Sequence, residues 1–416
     1  MTPSAPILLR PEDRAILELE SDTVAGHACK VVLLGDSAPD LDGLRRHVAA
    51  RIGGAPELSR RLGEARGAPA WVPAERFDVA DHVVAAPTGP LDPAGLRREV
   101  ARLFAQRLDR SRPLWRIDVA PLQDGGRALV WRTHHALADG TTAMRLAEQV
   151  LWDPGPASPP AGARASAAAA DEGRRRRLRG LLRRELGPFG GPSPFDGRIG
   201  ADREVAFAVF PLKPLHDAAR AACGATVNDA VLCAVTGGIR RWLEARHGQL
   251  GTLRLRVPVS LHHEGDDAAN RDSFFSIGVP LGEPDAIARL RAVHEATAAC
   301  KEGHDAETLD ELSRGLERVS PALEGFAARL EASPRAFAVS VSNVVGPRSP
   351  VTVLRAPVSG LYSLAEIGQR HALRVGAVSL AGTMHLGLCA DPVLVDGLQE
   401  MADAAAAEAR SLIAAA

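Results

Sequence analysis

The chain has almost no net charge: 50 Lys and Arg stand against 51 Asp and Glu over 416 residues, giving −1 at pH 7. A nucleic-acid partner would require a basic surplus, so none is expected. No uninterrupted apolar run approaches the ~20 residues a spanning helix needs, so no membrane span is expected. The opening residues, Met1-Thr2-Pro3-Ser4, carry neither the basic nor the apolar region of a signal peptide. Cysteines are few: Cys29, Cys223, Cys233, Cys300 and Cys389 lie scattered, with no C-x-x-C pair. That excludes a disulfide framework and reads as reduced thiols in a cytoplasmic protein, with Cys223 and Cys233 in or beside a helix. No G-x-S-x-G elbow appears, which argues against a serine hydrolase. No repeat of solenoid length occurs.

What is present is a large apolar fraction, 46% of residues, in a chain longer than one ordinary domain. Two halves are expected, at 1–152 and 201–416. The segment 153–200 between them is rich in Ala, Pro and Arg, a linker composition. Hydrophobic periodicity predicts strands at His27–Leu34, Val205–Phe210, Arg254–Ser260 and around Phe337–Val341, and a hairpin of Ala372–Leu380 with Thr383–Ala390. Helices are predicted at Leu41–Arg61, Pro93–Leu108, Ala286–Cys300, Glu307–Leu330 and Val393–Ile413. Thr226 reads as a helix N-cap with Asp229 three residues on, a capping box.

The densest chemistry lies in Trp131-Arg132-Thr133-His134-His135-Ala136-Leu137-Ala138-Asp139-Gly140, which reads HHxxxDG. Ala128-Leu129-Val130-Trp131 leads into it as a short buried strand. Ala143, Leu146, Ala147, Val150 and Leu151 follow on one helical face. The histidines therefore fall where a strand ends and a helix begins. Neutral imidazole can take a proton from a hydroxyl or amine as that group attacks a carbonyl. Asp139 can orient the loop through an arginine or backbone N–H groups, and Gly140 permits a turn that a Cβ would obstruct. With no Ser or Cys in the motif, direct transfer between two bound substrates fits better than a covalent acyl-enzyme.

The bare pattern arises cheaply. His262-His263-Glu264-Gly265-Asp266-Asp267-Ala268 also reads HHxxxD, in a polar, acidic stretch with no apolar helix behind it, and is taken as a solvated loop. No third ligand stands at a metal-binding spacing, so no metal is expected.

Other segments single out the first motif. Asp109-Arg110-Ser111-Arg112-Pro113-Leu114-Trp115, Thr226-Val227-Asn228-Asp229, Val257-Pro258-Val259-Ser260 with Asn270-Arg271, and Ser342-Asn343-Val344-Val345-Gly346-Pro347 occur in a fixed order. On these residues the chain resembles the bacterial wax ester synthase/diacylglycerol acyltransferase family, from about Leu8 to Asp391. It departs where Ala269 replaces a usual glycine, Val345 a proline, and Gly26-His27 a Met-His pair. Aromatics are 4% of the chain, with Tyr362 the one tyrosine.

The resemblance implies an α/β (α+β) fold of the coenzyme A-dependent acyltransferase type, like chloramphenicol acetyltransferase and condensation domains, with a central tunnel. It implies an O-acyltransferase that uses acyl-CoA as substrate and no cofactor, with a long-chain alcohol, diacylglycerol or specialised-metabolite hydroxyl as acceptor. It makes His135 the general base, with His134, Asp139 and Gly140 around it. Pro113, Leu114, Trp115, Asn228, Asp229, Asn270, Ser342 and Asn343 become candidate substrate-binding residues, though Asn228 and Asp229 also serve as capping and polar satisfaction. Two alternatives stay open: an acyl carrier protein as donor in a condensation-type reaction, and a non-catalytic lipid binder. The arginine-rich segment 174–186, with Leu178, Leu181, Leu182 and Leu186 among its arginines, reads as a linker helix or as a peripheral contact with the inner membrane.

Overall fold

The computed structural model describes residues 5–154, 193–248, 251–260, 272–303 and 336–415. The arginine-leucine segment, His262-His263, Asn270 and the helix expected over Glu307–Leu330 lie outside these residues.

The first six-stranded sheet is built around β2 (His27–Leu34), an apolar strand buried along nearly its whole length. On one side follow β7 (Arg127–His134), β6 (Trp115–Pro121) and β5 (Val83–Ala85); on the other, β13 (Ala356–Ala365) and β12 (Thr352–Val353). A second six-stranded sheet runs β10 (Asp272–Pro280), β9 (Thr252–Ser260), β11 (Val339–Val344), β14 (Leu373–Leu380), β15 (Thr383–Ala390) and β8 (Glu204–Pro211). In it β11 lies parallel to β9 and β14, and the other pairs are antiparallel. A small sheet joins β1 (Ile7–Leu8), β4 (Ala68–Pro73) and β3 (Arg60–Ala65).

The described helices are α1 (Pro11–Glu18), α2 (Leu41–Arg51), α3 (Val79–His82), α4 (Pro93–Phe104), α5 (Gly140–Val150), α6 (Leu212–Cys223), α7 (Val227–Arg246), α8 (Ala286–Glu302) and α9 (Leu398–Ala414). Side-chain caps fix several starts: Asp92 accepts from Gly95 N–H ahead of α4, and Thr226 and Asp229 form a full capping box on α7. α6 ends in left-handed Gly224, φ 75°, and meets α7 at 97°. No single described helix is long and apolar enough to cross a membrane.

Three predicted helices are shorter than their periodicity suggests. α2 stops at Arg51, because Gly53, Gly54 and Pro56 break the pattern before β3. α4 ends at Phe104 rather than Leu108. α9 begins at Leu398 rather than Val393, after Gly397 at φ 62°. The β3–β4 hairpin and strands β6, β10 and β13 were not foreseen from pattern alone.

β12 and β13 belong to the second half by sequence but complete the first sheet, β13 pairing with β2 from Val358↔Leu34 to Ala365↔Ala28. To get there β13 passes across the second sheet, and two glycines make room. Gly376 and Gly387 face each other in the β14–β15 pair, and a Cβ on either would lie 2.4 Å from Ser363 O. The core is correspondingly shared: Val31, Val100 and Phe104 belong to the same buried cluster as Val231, Val341 and Leu386.

Candidate active site

β7 ends at His134, and the turn that follows is tied down by backbone. Leu137 N and Ala138 N donate to His134 O at 2.9 and 3.2 Å. His134 N donates to Leu114 O at 2.9 Å, and His135 N donates to Gly26 O at 3.0 Å. The residues just before β6 and just before β2 therefore grip the motif from both sides.

The two histidines have different surroundings. His134 is fully buried; its Nδ1 accepts from Ala136 N–H at 3.1 Å, so Nε2 carries the proton and donates to Glu20 Oε1 at 2.7 Å. His135 is half-buried. Burial lowers its pKa from 6.5 to about 4, Arg374 and Lys30 push the same way, and Asp139 opposes them. The ring is thus neutral across the physiological range.

Asp139 is the N-cap of α5, its Oδ1 accepting from Thr142 N–H at 2.7 Å. Gly140 has no left-handed backbone, so the turn argument from sequence gives way to a packing one: a Cβ there would meet Val344 Cγ2 at 3.0 Å. Val344 belongs to β11, so this glycine sets how closely the histidine loop approaches the second sheet.

Ser342 and Asn343 stand beside Val344 on β11, both half-buried. Asn343 Nδ2 donates to Asn228 Oδ1 at the start of α7, over a long 3.5 Å. These three residues and Gly140 gather where the halves meet. Asp229 does not join them. Its carboxylate accepts from Thr226 N–H, His294 Nδ1 at 2.8 Å and Thr297 Oγ1 at 2.6 Å, inside the second half. Burial would raise its pKa, but these hydrogen bonds and Lys301 hold it below the ordinary value.

Pro113, Leu114 and Trp115 are buried. Trp115 Nε1 donates to Leu58 O at 2.6 Å, and its ring stacks on His82 at 4.6 Å. Trp115 pairs in register with Thr133. These contacts pack the trio against the strand that carries the histidines.

The sequence assigns no site role to several residues that the structure places here. Gly26 is left-handed, φ 70°, and a Cβ would fall 2.8 Å from His134 Nε2. Lys30 is buried on β2, donates to Ser363 Oγ at 2.7 Å, and burial lowers its pKa to about 8. A lone lysine inside the apolar run His27–Leu34 was the available signal for it. Glu20 and Arg374 carry none. Among the described residues no three His, Cys, Asp or Glu side chains gather as a metal site. All five cysteines are free thiols, and burial pushes Cys29 and Cys233 up to about 12.

Two sheets joined by an exchanged strand, with a strand-end histidine loop at their junction, define the condensation-type acyltransferase fold. A wax ester synthase/diacylglycerol acyltransferase from Marinobacter aquaeolei VT8 superposes with TM-score 0.69 at 23% identity, over 98% of both chains. The starter condensation domain of rhizomide synthetase, in complex with C8-CoA and Leu-SNAC, gives 0.62 at 14% identity, over 98% of this chain and 93% of that one. Sequence narrows the class. Residues 9–191 match the wax ester synthase/diacylglycerol acyltransferase catalytic domain, and residues 268–412 match that family's C-terminal domain. A probable diacylglycerol O-acyltransferase of Mycobacterium tuberculosis is 30% identical, over 77% of this chain and 78% of the relative. The chain belongs to the wax ester synthase/diacylglycerol acyltransferase family and is an acyltransferase.

Proposed function

We propose that this chain moves an acyl group from acyl-CoA to the hydroxyl of an alcohol, with His135 as general base. The observation that carries this reading is a neutral, half-buried imidazole at a strand end, against the second sheet. A ring nitrogen of His135 accepts the proton from the acceptor O–H as that oxygen bonds to the thioester carbonyl carbon. The carbonyl oxygen gains negative charge, for which backbone N–H groups near Gly140, at the start of α5, are the donors. The C–S bond then breaks and the thiolate takes the proton back from the imidazolium. The products are an ester and a free thiol.

The names of the relatives support a lipid acceptor, long-chain alcohol or diacylglycerol, ahead of a specialised-metabolite hydroxyl. The C8-CoA complex of the condensation-domain neighbour supports a coenzyme A donor. The test is thiol release from acyl-CoAs of several chain lengths against a panel of soluble and membrane-borne alcohols. His135→Ala is expected to lower turnover by at least ~10²-fold, the scale of general base catalysis, while the fold persists. Near-normal turnover by that variant would remove His135 from the role. Turnover restricted to carrier-bound acyl groups would favour the condensation-type reaction instead, and binding without thiol release would favour a non-catalytic lipid binder.

A further inference from the structure

Behind the motif lies a chain of contacts that the reaction does not itself use. Glu20 follows α1 and sits at the mouth of a tight turn in which Ser21 and Val24 exchange backbone hydrogen bonds. Its side chain is 8% exposed. Oε1 accepts from His134 Nε2 at 2.7 Å, and Oε2 accepts from Arg110 Nη2 at 2.7 Å. Arg110 also donates to Leu17 O at 2.8 Å, which ties it to the last turn of α1, just ahead of Glu20. The fit is close: a Cβ on Gly26 would lie 2.8 Å from His134 Nε2 and 3.0 Å from Glu20 Cγ. Gly26 O is also the acceptor for His135 N–H.

We propose that Glu20 is a positioning residue for His135, acting through the ring of His134. The carboxylate fixes the Nε2–H tautomer of His134. That leaves Nδ1 as the acceptor for Ala136 N–H, which shapes the turn on which His135 stands. Without Glu20 a buried N–H loses its partner, and the ring can relieve this by rotating or changing tautomer. Either change takes the acceptor away from Ala136 N–H and loosens the His135 backbone. Burial alone would raise the pKa of Glu20, but the contacts to His134 and Arg110 hold it below the ordinary carboxylate range, so the anion persists at neutral pH. The inference rests on His135 as the base.

The test is steady-state thiol release by purified Glu20→Ala, Glu20→Gln and Glu20→Asp, beside wild type and His135→Ala. Groups that orient an active residue are commonly worth about 10–100-fold in activity. Glu20→Ala is expected to lose kcat on that scale, with KM for both substrates nearly unchanged. Glu20→Gln keeps an acceptor for His134 and should recover most of the loss. A folded Glu20→Ala with wild-type kcat would overturn the proposal. Should Glu20→Ala fail to fold, Glu20→Asp decides, since it keeps the charge but shortens the reach: reduced kcat supports the proposal, and wild-type kcat in a folded Glu20→Asp overturns it. Nitrogen NMR of the His134 ring gives a readout independent of turnover. If wild type releases no thiol while His134 keeps its Nε2–H tautomer only with Glu20 present, the reaction assignment fails and the contact stands. A His134 ring that keeps both its tautomer and its hydrogen bond from Ala136 N–H in Glu20→Ala counts against the proposal.

Discussion

At His135 burial sets the protonation state of the ring. A pKa of about 4 keeps the imidazole neutral at pH 7, in the form that accepts protons. It also makes the ring a weaker base than one poised near 7, so geometry must supply more of the rate. The expected profile of kcat/KM is flat from pH 8 to 6, with an acid limb well below the ordinary histidine value of 6.5. A limb near 6.5 would mean that the ring is better solvated than its surroundings imply. Stability should show the same sign. His27 falls to about 3, and His135 and His385 to about 4, each mainly through burial. Unfolded, each would bind a proton below ~6.5. The unfolded chain therefore binds more protons than the folded one in that window. This contribution is fully present above pH 6.5 and is lost as pH falls toward 4. Melting temperatures across pH 7 to 4 check it, and the rates belong at a temperature where every sample is folded.

Among the elements, β13 is the one whose position most constrains the rest. It pairs with β2, and its Ser363 hydroxyl holds the buried Lys30 ammonium. It also crosses β14 and β15 where Gly376 and Gly387 lie opposite each other. A side chain at either glycine must displace backbone rather than a flexible tip. Gly387→Val is therefore expected to cost about 1–3 kcal/mol or more, the range for overpacked cores. The position also feeds back on the site, because β2 starts beside Gly26 and the loop it grips. Denaturant melts measure the stability cost. A Gly387→Val protein as stable as wild type would mean that the crossing is looser than the contacts imply.

For the whole molecule, the exchanged strand makes the two halves interdependent. Residues 1–152 alone would leave β2 with an open edge. They would also lack Val353, Ala356, Val358 and Leu361, which fill the core of the first half. That fragment is expected to show no cooperative thermal transition, while the full chain does; circular dichroism during heating distinguishes them. A sharp transition in the fragment would mean that β13 is dispensable to the first half.

Local sequence determined a good deal of this. The continuous apolar run of β2, the capping box on α7, the turn at Ala381-Gly382 and the strand-to-helix change through HHxxxDG are all short-range patterns. Steric and hydrogen-bonding preferences within a few residues fix them, so they could be read without the fold. The helix ends at Arg51 and Phe104 were less legible, since an apolar stripe can continue past the point where the backbone turns away. Tertiary structure alone decided what depends on residues far apart in the chain. Glu20 meets His134 and β13 enters the first sheet only because long loops close, and no local period encodes that. Nothing local to Trp115 says what its ring packs on; its contacts with Leu58 and His82 exist only once the strands and loops have come together. The pKa of His135 likewise comes from burial and from Arg374, 239 positions further along the chain, and desolvation is a property of the packed molecule.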